Sequence, residues 1–180
     1  MFKVFATTQN NTDLAIKEIS ESIGDSPKVL MAYGTCNYDW DLISSMLNER
    51  FGKSDVKILG GTSCLGVLTN KDFYSENGFG LGLLAIDDFD GDIGIGSSFS
   101  KNAKDACDAL VLDADRKGEM PDFVWMLSSP GDEEKSLDEI TDYFGGNVRV
   151  FGGSCGDNDI SGQWKLLHGS DISSDGIILV

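Results

Sequence analysis

The chain has 180 residues and is 41% hydrophobic, enough to bury a sizeable core in one domain of ordinary size. Its 14 Lys and Arg stand against 30 Asp and Glu, and the formal net charge of −16 excludes nucleic acid and anionic membrane surfaces as natural partners. No apolar run approaches the roughly 18 residues of a membrane span, and Met1-Phe2-Lys3-Val4-Phe5-Ala6-Thr7-Thr8 lacks the apolar core of a signal peptide, so a cytoplasmic location without membrane insertion is expected.

Along the chain, β-rich runs predict strands over 3–7, 28–33, 56–59 and 79–86, with helical stripes predicting helices over 12–23 and 39–51 between the early ones. The short acidic segment 87–92 reads as a solvated loop inside one module. The plan then repeats: strand 92–99, helix 103–112, strand 122–127, helix 133–144, and strands over 148–151, 164–168 and 176–180. Acidic residues open the second helix of each half, Asp39 and Asp41 in one and Asp132, Glu133 and Glu134 in the other, as the helix dipole favours. Leu42, Met46, Leu47 and Phe51, and likewise Leu137, Ile140, Tyr143 and Phe144, form stripes expected to pack on a sheet. The four cysteines, Cys36, Cys64, Cys107 and Cys155, include no CxxC pair and read as reduced thiols.

Ile58-Leu59-Gly60-Gly61-Thr62-Ser63 aligns with Val150-Phe151-Gly152-Gly153-Ser154-Cys155 at an offset of 92, each after a helix ending in Phe-Gly. Asn77-Gly78-Phe79 corresponds, at an offset of 98, to Asp175-Gly176-Ile177, which places Val180 inside a strand and leads to the expectation that the protein continues beyond it. The expected fold is α/β: two related β-α-β-α-β-β units, 1–87 and 92–180, about a pseudo-twofold axis, with helices over the outer faces of mixed sheets.

The succession Val56-Lys57-Ile58-Leu59-Gly60-Gly61-Thr62-Ser63, Asn77-Gly78-Phe79-Gly80-Leu81-Gly82-Leu83-Leu84-Ala85-Ile86, Val150-Phe151-Gly152-Gly153-Ser154 and Asp175-Gly176-Ile177-Ile178-Leu179-Val180 resembles the FIST N-terminal region over nearly the whole chain. The resemblance implies a cytoplasmic sensory domain of bacterial or archaeal signal transduction, usually followed by a FIST C-terminal region. It implies a small-molecule ligand and a relay to a histidine kinase, a cyclic-dinucleotide enzyme or a chemotaxis-type partner. Some members look like haem-dependent nitric-oxide sensors, which makes haem a cofactor to weigh here; amino acids have been suggested as ligands of others.

Gly152-Gly153-Ser154-Cys155-Gly156 satisfies the G-x-S-x-G pattern of a nucleophile elbow, but a turn-rich stretch follows where that motif needs a helix. Two glycines repeated at equivalent positions are better explained by tight backbone geometry or close strand packing. A Ser154 or Cys155 hydrolase, the alternative reading, would have only His168 as its histidine base, and no third member can be assigned among the nearby aspartates. A ligand-free interaction scaffold is the other alternative.

His168 is also the one histidine that could ligate haem iron, with Trp164 and Leu166 on its face of a strand and Lys165 and Leu167 on the other. Gly94-Ile95-Gly96 lacks the third glycine of a dinucleotide fingerprint. The Asp-rich stretches 87–92 and 157–159 lack EF-hand spacing and read as solvated loops. The expected ligand site is near the two Gly-Gly pairs, read as turns, around Thr62, Cys64, Gly152, Gly153, Ser154, Cys155, Trp164 and His168, because glycines let a ligand approach backbone N–H groups.

Overall fold

A computed structural model describes residues 2–23, 27–52, 55–87 and 92–180. The first half runs β1 (Phe2–Thr7), α1 (Thr12–Glu21), β2 (Val29–Gly34), α2 (Trp40–Phe51), β3 (Lys57–Thr62), the short hairpin β4 (Val67–Leu68) and β5 (Phe73–Tyr74), and β6 (Leu81–Ile86). The second runs β7 (Gly96–Ser98), α3 (Ala103–Asp113), β8 (Phe123–Ser128), α4 (Glu133–Phe144), β9 (Arg149–Ser154), the hairpin β10 (Leu166–His168) and β11 (Asp171–Ser173), and β12 (Ile177–Leu179).

Among the described residues, α1, α2 and α3 start where a side chain satisfies amides that the first turn leaves unpaired. Asn11 accepts from Leu14 N and Asp39 from Leu42 N, each at 3.0 Å, and Asn102 accepts from Lys104 N and Asp105 N. Asp132 precedes α4 without such a bond and instead lies 3.5 Å from the Lys101 ammonium.

The two halves share a strand order and a pairing sense. In the first half β1, β6, β2 and β3 lie side by side; in the second β7, β12, β8 and β9 do, in the same order. Both sets pair antiparallel, antiparallel and then parallel. They differ at one edge. The β10–β11 hairpin leaves its own half and adds antiparallel to β3, with Leu166 opposite Gly61 and His168 opposite Leu59, so the first sheet has six strands and the second four. The first half's own hairpin, β4–β5, forms a separate two-stranded sheet among the described residues.

Three buried clusters give the layers. Ala15, Ile16 and Ile19 of α1 and Ile43, Leu47 and Phe51 of α2 pack on Leu30, Ala32, Ile58 and Leu83 of the six-stranded sheet. Ala106 and Leu110 of α3 and Ile140 and Phe144 of α4 pack on Val124, Met126, Ile177 and Leu179 of the four-stranded sheet. Between the sheets lie Val29, Met31 and Leu59 from one and Leu127, Cys155 and Ile178 from the other. The helices therefore cover the outer faces of two mixed sheets whose inner faces share a core.

Several expectations need adjusting. The Gly-Gly pairs are not turns: both lie inside strands, β3 and β9. On α4 Leu137 is 38% exposed, and Ser136 takes the buried position in the stripe. The strand expected over 92–99 is regular only over Gly96–Ser98. There a Cβ on Gly96 would sit 1.9 Å from the Ala106 carbonyl, so the glycine serves close approach of α3 and not a phosphate. Of the acidic segment 87–92, residues 88–91 lie outside the described residues.

Candidate functional site

The two Gly-Gly pairs are equivalent residue by residue but only half equivalent in use. A Cβ on Gly60 would sit 1.9 Å from the Ala32 carbonyl, and one on Gly152 would sit 1.8 Å from the Met126 carbonyl, so each first glycine presses on the parallel strand beside it. At Gly61 a Cβ would meet Cys155 Sγ at 2.5 Å and the Lys165 carbonyl at 2.8 Å; at Gly153 no described residue lies within 4 Å of it.

Around Gly61 the expected site residues do converge, through structural contacts. Thr62 is buried; its amide donates to the Lys165 carbonyl at 2.9 Å, its hydroxyl accepts from Lys165 N at 3.0 Å, and its carbonyl accepts from Gly156 N at 3.0 Å. Cys64 packs against Gly156, where a Cβ would be 3.3 Å from its own. The next residue, Leu65, donates its amide to Asn158 Oδ1. Cys155 is buried between the sheets, and burial pushes its thiol up to about 12, far from the thiolate a nucleophile needs.

The remaining residues have separate partners. Ser154, exposed at the end of β9, donates its hydroxyl to Glu133 Oε1 at 2.5 Å, and this bond is the largest cause holding the Glu133 carboxyl below its usual range. His168 Nδ1 shares a 2.7 Å hydrogen bond with Ser97 Oγ on β7. Burial holds the imidazole pKa below its ordinary value, against the Asp113 and Asp171 carboxylates that would raise it. Trp164 donates Nε1–H to the Ser174 carbonyl at 2.9 Å. Neither Ser154 nor Cys155 has His168 as its hydrogen-bond partner, so the nucleophile–base unit of a hydrolase is not assembled.

The residues do not fit a haem either. Alternation along β10 is as expected, but Leu166 is fully buried in the inter-sheet core and Leu167 in the α1–α2 core, so the face a porphyrin would need is filled by protein. No group of three or more metal-ligating side chains occurs among the described residues. Nor is any helix among them long and apolar enough to cross a membrane.

Asp157 is not the solvated loop residue expected. It is buried, and its carboxylate accepts from Ile160 N and Gly162 N at 2.6 Å and Gln163 N at 2.8 Å. Burial alone would raise its pKa; the amides outweigh it and hold the carboxyl below the usual range.

Open space lies elsewhere, beside β1. One cavity of about 190 Å³ is lined by Val4, Phe5, Glu18, Asn70, Lys71 and Tyr74, among others. A second of about 410 Å³ is lined by Thr7, Thr8, Gln9, Asn10, Glu18, Glu76 and Asn77. Glu18 lines both. None of the eight residues expected at the site lines either cavity.

The carboxylates in this groove are aimed by threonines: Thr7 Oγ1 donates to Glu18 Oε2 at 2.8 Å and Thr8 Oγ1 to Glu76 Oε2 at 3.1 Å. The polar run Thr7-Thr8-Gln9-Asn10-Asn11 follows the carboxyl end of a strand and precedes a helix, the place where α/β sheets bind ligands, and this signal could have drawn attention to the groove.

A family model described as the FIST N domain matches residues 28–180 of the chain. No curated protein matches it.

Proposed function

The chain belongs to the FIST family of sensory domains in signal-transduction proteins, and from that premise we propose that it binds a small ammonium-bearing metabolite in the groove beside β1. The observation that carries this reading is the pair of adjoining cavities sharing Glu18. The larger, at about 410 Å³, falls within the range of small-molecule sites, roughly 300–1,000 Å³.

Two carboxylates with hydroxyl partners suit a cationic amine, and the net charge of −16 raises the local concentration of cations. Lys71 on the wall of the smaller cavity supplies an opposite charge for a carboxylate, so a free amino acid is the simplest molecule that meets both. Ligand occupancy at the β1–α1 loop would then be passed to a cytoplasmic signalling partner such as a histidine kinase or a cyclic-dinucleotide enzyme.

A ligand that binds only the folded state must stabilise it, by about 2.7 kcal/mol at a hundredfold excess over Kd. Thermal-shift screening with amino acids and polyamines should therefore find compounds that raise Tm, and the shift should vanish when Glu18→Gln and Glu76→Gln are combined. If no amine-bearing compound raises Tm, or the shift survives in that double variant, the groove is not the site.

A further inference from the structure

The break in the internal repeat leaves one strand edge without its counterpart contact. On β3 the edge is covered: Thr62 N donates to the Lys165 carbonyl, Gly169 N donates to the Ile58 carbonyl, and β10 lies antiparallel between them. The equivalent edge of β9 carries the Ser154 amide and the Val150 carbonyl, and among the described residues no strand pairs with β9 on that side. Where β3 is buried along nearly its whole length, β9 is exposed at every residue except half-buried Val150. An exposed edge of this kind is a template for strand addition.

The apolar surface agrees with the backbone. Phe151 shares a face with its register partner Trp125, and Phe123 lies two residues before Trp125 on that same inner face. The two rings meet edge to face at 6.0 Å but remain 50% and 55% exposed. No described residue lies within 4 Å of a Cβ on Gly153, while above Gly61 stand the Lys165 carbonyl and the Cys155 sulfur.

We propose that the edge of β9 is the docking site of a β-hairpin from a partner protein, paired antiparallel as β10–β11 pairs with β3. Opposite Gly152 and Gly153 it carries aliphatic side chains, as Leu167 and Leu166 do opposite Gly60 and Gly61. It is neutral or basic, because the chain it meets carries −16. That charge also disfavours a second copy as the occupant. As a hairpin donor, moreover, a second copy has among its described residues the short β4–β5, two residues per strand, since its β10–β11 hairpin is already paired with its own β3.

The probe is a cyclised peptide of residues 163–175 carrying Asp171→Asn and Asp175→Asn, with its ordering cost reduced by the ring. Titrated into the isotope-labelled 180-residue protein, it should shift the amide signals of Gly152, Gly153 and Ser154 saturably. In Gly153→Val the new side chain occupies open space in the free protein but would meet the incoming backbone as a Cβ on Gly61 would meet Lys165 O, at 2.8 Å. Tm should be retained and affinity should fall at least about tenfold, equivalent to about 1.4 kcal/mol. Phe151→Glu, at an exposed position, should weaken binding in the same direction. Absence of shifts over 150–154 at millimolar peptide, or equal affinity in both variants, would overturn the proposal. So would sedimentation showing a dimer that Gly153→Val dissociates, since the edge would then join two copies.

Discussion

Ser97 Oγ and His168 Nδ1 share a 2.7 Å hydrogen bond that joins β7 of the four-stranded sheet to β10 of the six-stranded one. It fastens the relocated hairpin to the half it came from. The imidazole is held below its ordinary pKa by burial, so the folded state favours the neutral ring. The unfolded chain takes up the proton first as pH falls through about 6.5, and between that value and the lower folded pKa it binds more protons than the native state. Stability from this group is complete above about pH 6.5 and is lost on acidification below it. Urea midpoints measured from pH 8 to 5 should decline in the wild type and decline less in His168→Asn. Ser97→Ala should cost about 1 kcal/mol by loss of the bond.

The four glycines of the repeat make a second, internally controlled prediction. Gly60→Ala and Gly152→Ala each drive a methyl into a neighbouring carbonyl, at 1.9 and 1.8 Å, and each should cost about 3 kcal/mol or more because backbone must move. Gly61→Ala should behave similarly, since its neighbours are Cys155 Sγ and Lys165 O. Gly153→Ala should be neutral or stabilising by about 0.5–1 kcal/mol, as an ordinary strand residue replacing glycine. Denaturant titration of the four variants separates these outcomes.

Much of this architecture is readable in the residues, and the unreadable part has a physical cause. The helices announce themselves through local rules: Asn11, Asp39 and Asn102 cap them, and apolar stripes such as Ile43, Leu47 and Phe51 repeat with their period. The glycine repeat correctly signals close packing at Gly60 and Gly152, because the parallel neighbour recurs with the duplication. What escapes is pairing between halves. Leu166-Leu167 reads as an apolar strand segment in either half, and nothing within it says that its partner is Gly60-Gly61, more than a hundred residues earlier, in preference to β9. Within the first half, the polar run after β1 hints at the groove but does not say that Glu76, 68 positions from Thr8, closes it.

Asp157 should behave as the anchor of the segment that carries the chain from β9 to β10. Its carboxylate collects three amides, from Ile160, Gly162 and Gln163, that would otherwise compete for water or remain unpaired. Asp157→Ala should lower Tm by several degrees and loosen the segment leading to Trp164, which circular dichroism and tryptophan emission can follow. Its carboxyl is held below the usual range in the fold, so its contribution is present above the unfolded carboxylate pKa, about 3.9, and disappears as pH falls through the folded value. The wild-type advantage over Asp157→Asn should accordingly shrink in acid.

The cysteines test the nucleophile reading and the packing together. Cys64 is exposed, Cys36 is half-buried, and Cys107 and Cys155 are buried with thiols pushed up to about 12, chiefly by desolvation. At pH 8 only the thiolate attacks a thiol reagent, and at four pH units below its pKa a thiol presents about one part in ten thousand in that form. Cys155 also lies so close to Gly61 that an adduct on its sulfur has no room while β3, β9 and β10 stay together. In the native protein Cys64 should therefore label first and Cys36 more slowly, with Cys107 and Cys155 labelling only as the chain unfolds. Mass spectrometry of time points assigns the order. A Cys155 that labels faster than Cys64 in the folded protein would mean that its sulfur is activated and accessible, and it would bring the G-x-S-x-G segment back as a reactive site.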